Sequence, residues 1–255
     1  MKINFSPSVK TVLAYQIIAH IALVYLIFTG TLFQWLVAAT VYLVNVSIGG
    51  SITLHRMLSH KAFEPPKWFE YLGILIATIS NNASTIVWVA THREHHRFTD
   101  TDKDPHNPRL HGYSKVQFGL TTYNRIPNIR YIPDLLRSKF HMFLHNYHWL
   151  LILLYVSILY IIDPLAVIYV FLVPSILAWH ADCLINTLNH SDYGYRSQQT
   201  KDSSVNNFIS AILVAGEGWH NNHHADPANP KFGKRWYEFD LSWLVIKLVR
   251  KDRGE

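Results

Sequence analysis

The sequence predicts an all-α integral membrane protein with four transmembrane helices in two hairpins under a cytoplasmic helical cap. Three observations carry that expectation. Hydrophobic residues fill 49% of the 255 positions and charged residues only 16%, a balance too apolar for an ordinary soluble domain. Two long stretches lack Asp, Glu, Lys and Arg, apart from Asp163 in the second, and a turn signal interrupts each of them once. The basic residues avoid both interruptions.

The first stretch lies between Lys10 and Arg56 and would reach about 65 Å as a helix at ~1.5 Å per residue. A hydrocarbon core is ~30 Å thick, so the stretch holds two crossings. They are placed at about 11–29 and 32–54, with the break at Gly30 between Thr29 and Thr31. The segment "YLGILIATISNNASTIVWVATH" (71–92) is also uncharged, but its polar centre, "SNNAST", is a poor lipid face. It is expected as a buried or interfacial helix. A second hairpin follows, with crossings at about 141–162 and 165–182 and a turn at Asp163-Pro164, where proline fits better than inside a helix. The cap then comprises 55–140 and 183–255, and the whole chain, 1–255, reads as one domain.

Of the 23 basic residues, two precede the first stretch, 12 lie from Arg56 to Lys139 and nine follow residue 181. By the positive-inside rule, both termini and the cap face the cytoplasm. No A-x-A-like cleavage site follows the first apolar run, which therefore reads as an anchor rather than a signal peptide. The expected setting is a multi-pass protein of a bacterial inner membrane rather than of the endoplasmic reticulum, with the lipid bilayer as a partner and no nucleic acid.

One cysteine, Cys183, rules out a disulfide framework, a Cys-ligated zinc site and an iron–sulfur cluster. A bound metal must be held by His, carboxylate or amide groups. The 16 histidines are patterned. His55 and His60 lie in "HRMLSH", His92, His95 and His96 in "HREHH", and His220, His223 and His224 in "HNNHH". Positions i, i+3 and i+4 share a helix face, so each His-x-x-His-His box can aim three imidazoles into one space. The wider His55–His60 spacing turns by about 500° at ~100° per residue and suits a loosened helix end. Eight ligands exceed one tetrahedral site and point to a two-metal centre, so the cap carries a histidine-bound dimetal site. Spacing alone leaves Fe, Zn, Cu and Ni open.

The order HxxxxH, HxxHH, HxxHH, with "WVATHREHHRFTDTDKDPHNP" around the second box and "GEGWHNNHH" as the third, resembles the membrane fatty acyl desaturase family, in its delta-9 or stearoyl-CoA desaturase-like branch. The resemblance runs from about residue 20 to residue 245. It implies a di-iron centre, dioxygen as co-substrate and insertion of a cis double bond into an acyl chain. It further implies a ninth histidine ligand, His190, and an amide that holds a metal-bound water, Asn186, both in "NTLNH". Electrons must come from an external carrier such as ferredoxin or cytochrome b5, because the chain shows no haem domain, Cys cluster or G-x-G-x-x-G fingerprint. Animal acyl-CoA members of the family have an Arg-Asp pair just before the second box that contacts the CoA head, where this chain has Ala90-Thr91. The head group is thus open among CoA, glycerolipid and acyl carrier protein. Leu43 and Ser47, on the second membrane helix, occupy places comparable with the closed end of the family's acyl tunnel, and Trp88 and Trp219 are candidates for packing or tunnel wall.

Competing functions are a fatty acyl or alkyl hydroxylase of the same metal class, a histidine-rich metal transporter and a zinc hydrolase. Clustering of the histidines on one side, in helical spacing, disfavours transport, and the number of ligands disfavours a single catalytic zinc. Asp100, Asp102 and Asp104 begin an EF-hand-like alternation, but Pro105 and His111 stand where Gly and Glu are needed. His141, His145 and His148 read as an interfacial group, His106 as a turn and packing residue, and His20 and His180 as hydrogen-bonded helix histidines. Glu94 and Glu217 adjoin ligands and are candidates for orienting them.

Overall fold

The computed structural model describes residues 9–81, 83–123 and 128–251. Among these the chain is helical, without strands; two isolated bridges, Tyr195 to Asn206 and Asn206 to Trp219, tie the loop before the third box.

Helix α1 (Val9–Thr29) ends where Gly30 turns tightly, since a Cβ there would meet the backbone carbonyl oxygen of Leu26 at 2.5 Å. Helix α2 (Leu32–Ser59) starts on a capping box: Gln34 N donates to Thr31 Oγ1 at 3.3 Å and Thr31 N to Gln34 Oε1 at 3.0 Å. Its second half, Asn45–Ser59, is wound as a π-helix. Helices α3 (Lys67–Ile79) and α4 (Thr85–Phe98) divide the segment expected as one helix. The chain breaks between them at Asn81 (φ 60°) and Ala83 (φ 112°), where short polar side chains compete with the helix for backbone hydrogen bonds.

Helices α5 (Lys139–Asn146) and α6 (His148–Ile162) meet at an angle of 67°. The expected crossing at 141–162 is therefore a bent pair rather than one straight helix. Helix α7 (Val167–Leu188) begins with a π segment, Val167–Leu172. Short helices α8 (Phe208–Leu213) and α9 (His220–Ala225) precede α10 (Leu241–Val249). Three helices are long and apolar enough to cross a membrane, or four if the bent pair is one span.

The outer faces of these helices remain apolar: Ile21, Phe28, Leu32, Phe33, Ile161 and Ile162 are all exposed. Exposed apolar surface on this scale fits a lipid neighbour rather than water. Inside, Ala22, Leu26, Ala38, Tyr169 and Val173 join α1, α2 and α7. A second cluster, including Ile52, Leu54, Ile74, Ile86, Val89, Leu144 and Ile246, packs α2, α3, α4, α5 and α10 together. That cluster fixes the helices that carry the first two histidine boxes.

Candidate dimetal site and adjoining cavity

The π winding accounts for the His55–His60 spacing. Its hydrogen bonds run from i to i+5, and His60 N donates to His55 O at 3.1 Å, so the two rings lie one turn apart on one face and meet edge to face, 4.9 Å between centroids. On α4, His92, His95 and His96 follow the ordinary helical spacing. Ser84 caps that helix, and His145 and His141 contact Ser84 Oγ at 2.6 Å and Thr85 Oγ1 at 3.0 Å.

The third box follows a loop that depends on glycine. Gly216 has φ 106°, and a side chain at Gly218 would strike the backbone of Ala211. The two asparagines of "HNNHH" face away from the histidines and lock α9: Asn221 Oδ1 accepts from Ser197 N and Gln198 N at 2.9 and 2.8 Å, while Asn222 Nδ2 donates to Phe232 O at 2.9 Å and Glu238 Oε2 at 2.8 Å.

The nine histidines fall into two sets, each with its ring nitrogens within 4.8 Å of one another. His55, His60, His92, His96 and His223 form one; His95, His190, His220 and His224 form the other. The sets adjoin where the rings of His96 and His224 stack, 4.5 Å between centroids. Within them, Nε2 atoms approach closely: His60 and His92 at 2.9 Å, His55 and His223 at 3.0 Å, His190 and His220 at 3.1 Å, His220 and His224 at 3.0 Å.

Carboxylates decide what those nitrogens carry. Glu217 accepts from His55 Nδ1, Asp104 from His95 Nδ1 at 2.9 Å and Asp202 from His224 Nδ1 at 3.0 Å. Asp100 stands 3.2 Å from His190 Nδ1. An ionised carboxylate only accepts, so each of these rings keeps its proton on Nδ1 and turns a lone pair at Nε2 toward the set's centre. Lone pairs converging at such distances repel unless a cation lies between them, and His95 Nε2 is buried without a hydrogen-bond partner. The residues therefore fit two metal ions, with the outer partners that such ligands normally have.

Electrostatics agree. Burial, reinforced by neighbouring histidines, pushes His60, His92, His96, His220 and His223 well below the usual imidazole range. His224 falls to about 4 for the same first reason, although Asp202 opposes it. Such rings are neutral at pH 7 and free to bind metal. His95 moves the other way: burial lowers it, but Asp104, Asp100 and Asp202 outweigh burial and raise it. Burial would raise Asp100, Asp104 and Asp202, yet nearby imidazoles hold them below the carboxylate range, Asp100 at about 2.

A cavity touches both sets through His55, His92 and His220. The rest of its wall is mostly apolar, with Val46, Val87, Val116, Ala178, Ile185 and Val214. Trp88 lines it and stacks on His92, 4.9 Å between centroids, and Asn186 and His106 also face it. Leu43, Ser47 and Trp219 do not line it: Leu43 is 45% exposed, Ser47 is buried against Ser242, and Trp219 is buried with its indole N–H on Phe239 O at 2.8 Å. The second membrane helix contributes Val46, Gly50 and Ser51 instead.

Of the other histidines, His106 packs 5.5 Å from His95, and three more lie away from both sets. His20 and His180 meet at 3.1 Å between α1 and α7, and His148 is buried beside α5. The sequence reading missed the roles of Asp100, Asp104 and Asp202. For Asp100 and Asp104 the signal was present in "DTDKDP", whose acids follow the second box closely enough to fold back on it.

The family model for fatty acid desaturases matches residues 33–249. An sn-1 stearoyl-lipid 9-desaturase from Synechocystis sp. is 34% identical over 259 residues, covering 97% of this chain and 79% of the relative. An sn-2 palmitoyl-lipid 9-desaturase from Nostoc sp. is 36% identical over 217 residues, 80% of this chain and 74% of the relative. An acyl-CoA 5-desaturase from Anemone leveillei is 34% identical over 224 residues, 84% and 68% of the two chains.

Proposed function

The chain belongs to the fatty acid desaturase family, and on that premise we propose that it inserts a cis double bond at the delta-9 position of a saturated acyl chain carried on a glycerolipid. The observation that carries this reading is the pair of histidine sets facing one mostly apolar cavity. Two iron ions, held by His55, His60, His92, His96 and His223 and by His95, His190, His220 and His224, would supply the redox chemistry that activates dioxygen against an unactivated methylene.

The protein's own part is positioning. Glu217, Asp104 and Asp202 hold the Nδ1 protons of His55, His95 and His224, and so keep the Nε2 lone pairs directed inward. The cavity wall takes the acyl chain out of water, with Trp88 and Asn186 on that wall. Electrons arrive from an external carrier such as ferredoxin or cytochrome b5. Two lipid-acting relatives and Ala90-Thr91 before the second box favour a glycerolipid over CoA or acyl carrier protein.

In the membrane, the bent α5–α6 pair serves as the third of four crossings. Both termini and the cap face the cytoplasm of a bacterial inner membrane, as the basic residues favour. A hydroxylase of the same metal class is the alternative, since the same cavity and histidines would serve it.

The test is expression in a host without its own delta-9 desaturase, for wild type and His95→Ala, with double-bond positions read by mass spectrometry of total lipid. A delta-9 monoene that disappears in the variant supports the reading. Hydroxylated chains move the protein to the alternative, and unchanged lipids from folded, iron-loaded protein with a supplied donor overturn it.

A further inference from the structure

One carboxyl group faces the cavity without touching a histidine set. Asp182, on α7, is partly buried and lines the cavity wall. Its Oδ2 accepts a 3.3 Å hydrogen bond from Trp88 Nε1, and Trp88 stacks on His92. The cavity's other acid, Glu217, is committed to His55, Ser51 and Arg56. Beside Asp182, Cys183 is buried in the same wall. His55, His92 and His220 belong to the histidine sets, and His106 packs 5.5 Å from His95.

Desaturation has a proton requirement that this layout must meet. Two C–H bonds on adjacent methylenes break and one C=C bond forms, which oxidises the chain by two electrons. A one-electron carrier, acting twice, supplies two more. Dioxygen takes all four electrons and becomes two waters, which need four protons: two leave the methylenes and two must come from solvent. An acyl chain that fills the cavity excludes the water that would otherwise bring them.

We propose that Asp182 is the proton-relaying residue of this site: its carboxyl hands solvent protons to the oxygen being reduced, while its Oδ2 stays fixed by Trp88. A carboxyl can take up a proton at one oxygen and release it, whereas an amide of the same shape cannot. This inference rests on the desaturase reading above.

The experiment compares wild type, Asp182→Asn and Asp182→Glu as purified iron-loaded full-length protein with a glycerolipid substrate. It records monoene formed, dioxygen consumed and hydrogen peroxide released, in H₂O and D₂O. Iron content and the near-ultraviolet circular dichroism of the tryptophans are measured in parallel. The asparagine amide still offers Trp88 an acceptor oxygen, so iron content and the tryptophan signal should match wild type. Product formation should fall about 100-fold, the scale of general acid catalysis, with dioxygen diverted to peroxide and a larger solvent isotope effect. Asp182→Glu should recover part of the coupling.

If Asp182→Asn forms monoene as fast as wild type and as well coupled to dioxygen, the proposal fails. Loss of iron or of the tryptophan signal in Asp182→Asn also overturns it, in favour of a purely structural carboxyl. A wild-type protein that makes no monoene is instead a failure of the desaturase reading.

Discussion

Glu217 reaches back 162 residues to accept the Nδ1 hydrogen bond of His55. The same carboxylate stands 3.1 Å from Nη2 of the neighbouring Arg56, which is fully buried, pairs also with Asp240 at 3.0 Å and lies 3.8 Å above the centre of the Phe232 ring. One acid thus links the first box to the third and sets the tautomer of a candidate ligand.

Glu217→Gln is expected to separate those two effects from simple loss of fold. A neutral amide leaves Arg56 undercompensated in the interior, and breaking a buried pair costs about 3–5 kcal/mol; with Asp240 retained, the lower end applies. Chelator competition should show metal affinity weakened about 10–100-fold. Unchanged affinity would mean that His55 does not depend on this acid.

Asp104→Asn probes the other set. The carboxylate binds His95 Nδ1 and also accepts from the backbone N–H groups of Asp100 and His106 at 2.7 and 2.9 Å. Metal titration of the variant should show one site weakened by about 10–100-fold and the other near its wild-type affinity. Equal weakening of both sites would argue that the sets are not independent.

Acid should destabilise the metal-free protein. Six imidazoles of the two sets, including His224 at about 4, lie below their unfolded value near 6.5. Below that pH the unfolded chain binds protons that the folded chain does not, so stability falls as pH drops from about 6.5 toward 4. His95, which is raised, acts in the opposite sense: its contribution is present below about 6.5 and lost as pH rises. Six outweigh one, and thermal unfolding of the metal-free protein should occur at lower temperature at pH 5.5 than at pH 7.5. A flat profile, or greater stability in acid, would contradict the burial of these rings.

His141→Leu and His145→Leu serve as controls on which histidines matter. Their partners, Thr85 and Ser84, would be left without them at the start of α4. Each variant should lose about 1–3 kcal/mol of stability while its metal content equals that of wild type.

How much of this was legible in the sequence depended on the physics involved. The His-x-x-His-His boxes could be read because helix geometry alone puts i, i+3 and i+4 on one face. The five-residue spacing of His55 and His60 could be read only as a loosened helix end, since nothing local in "HRMLSH" announces a π turn that packing sustains. Hydropathy suggested continuous helices at 71–92 and 141–162, but it averages over the local breaks at Asn81, Ala83 and Tyr147. Asp100, Asp104 and Asp202 stayed hidden for a different reason: their partners are fixed only when loops fold back across the boxes. Leu43 and Ser47 lie on the helix that lines the cavity, but the π winding turns Val46, Gly50 and Ser51 to the wall instead.

The central claim is that five and four histidines hold two iron ions. The direct measurement is metal content per folded chain by mass spectrometry, with Mössbauer spectroscopy of iron-57-loaded protein, for wild type and His220→Ala. The account predicts two irons per wild-type chain in two nitrogen-rich environments, and loss of one of them in the variant. A single iron per wild-type chain, or zinc in both sites of active protein, would contradict it.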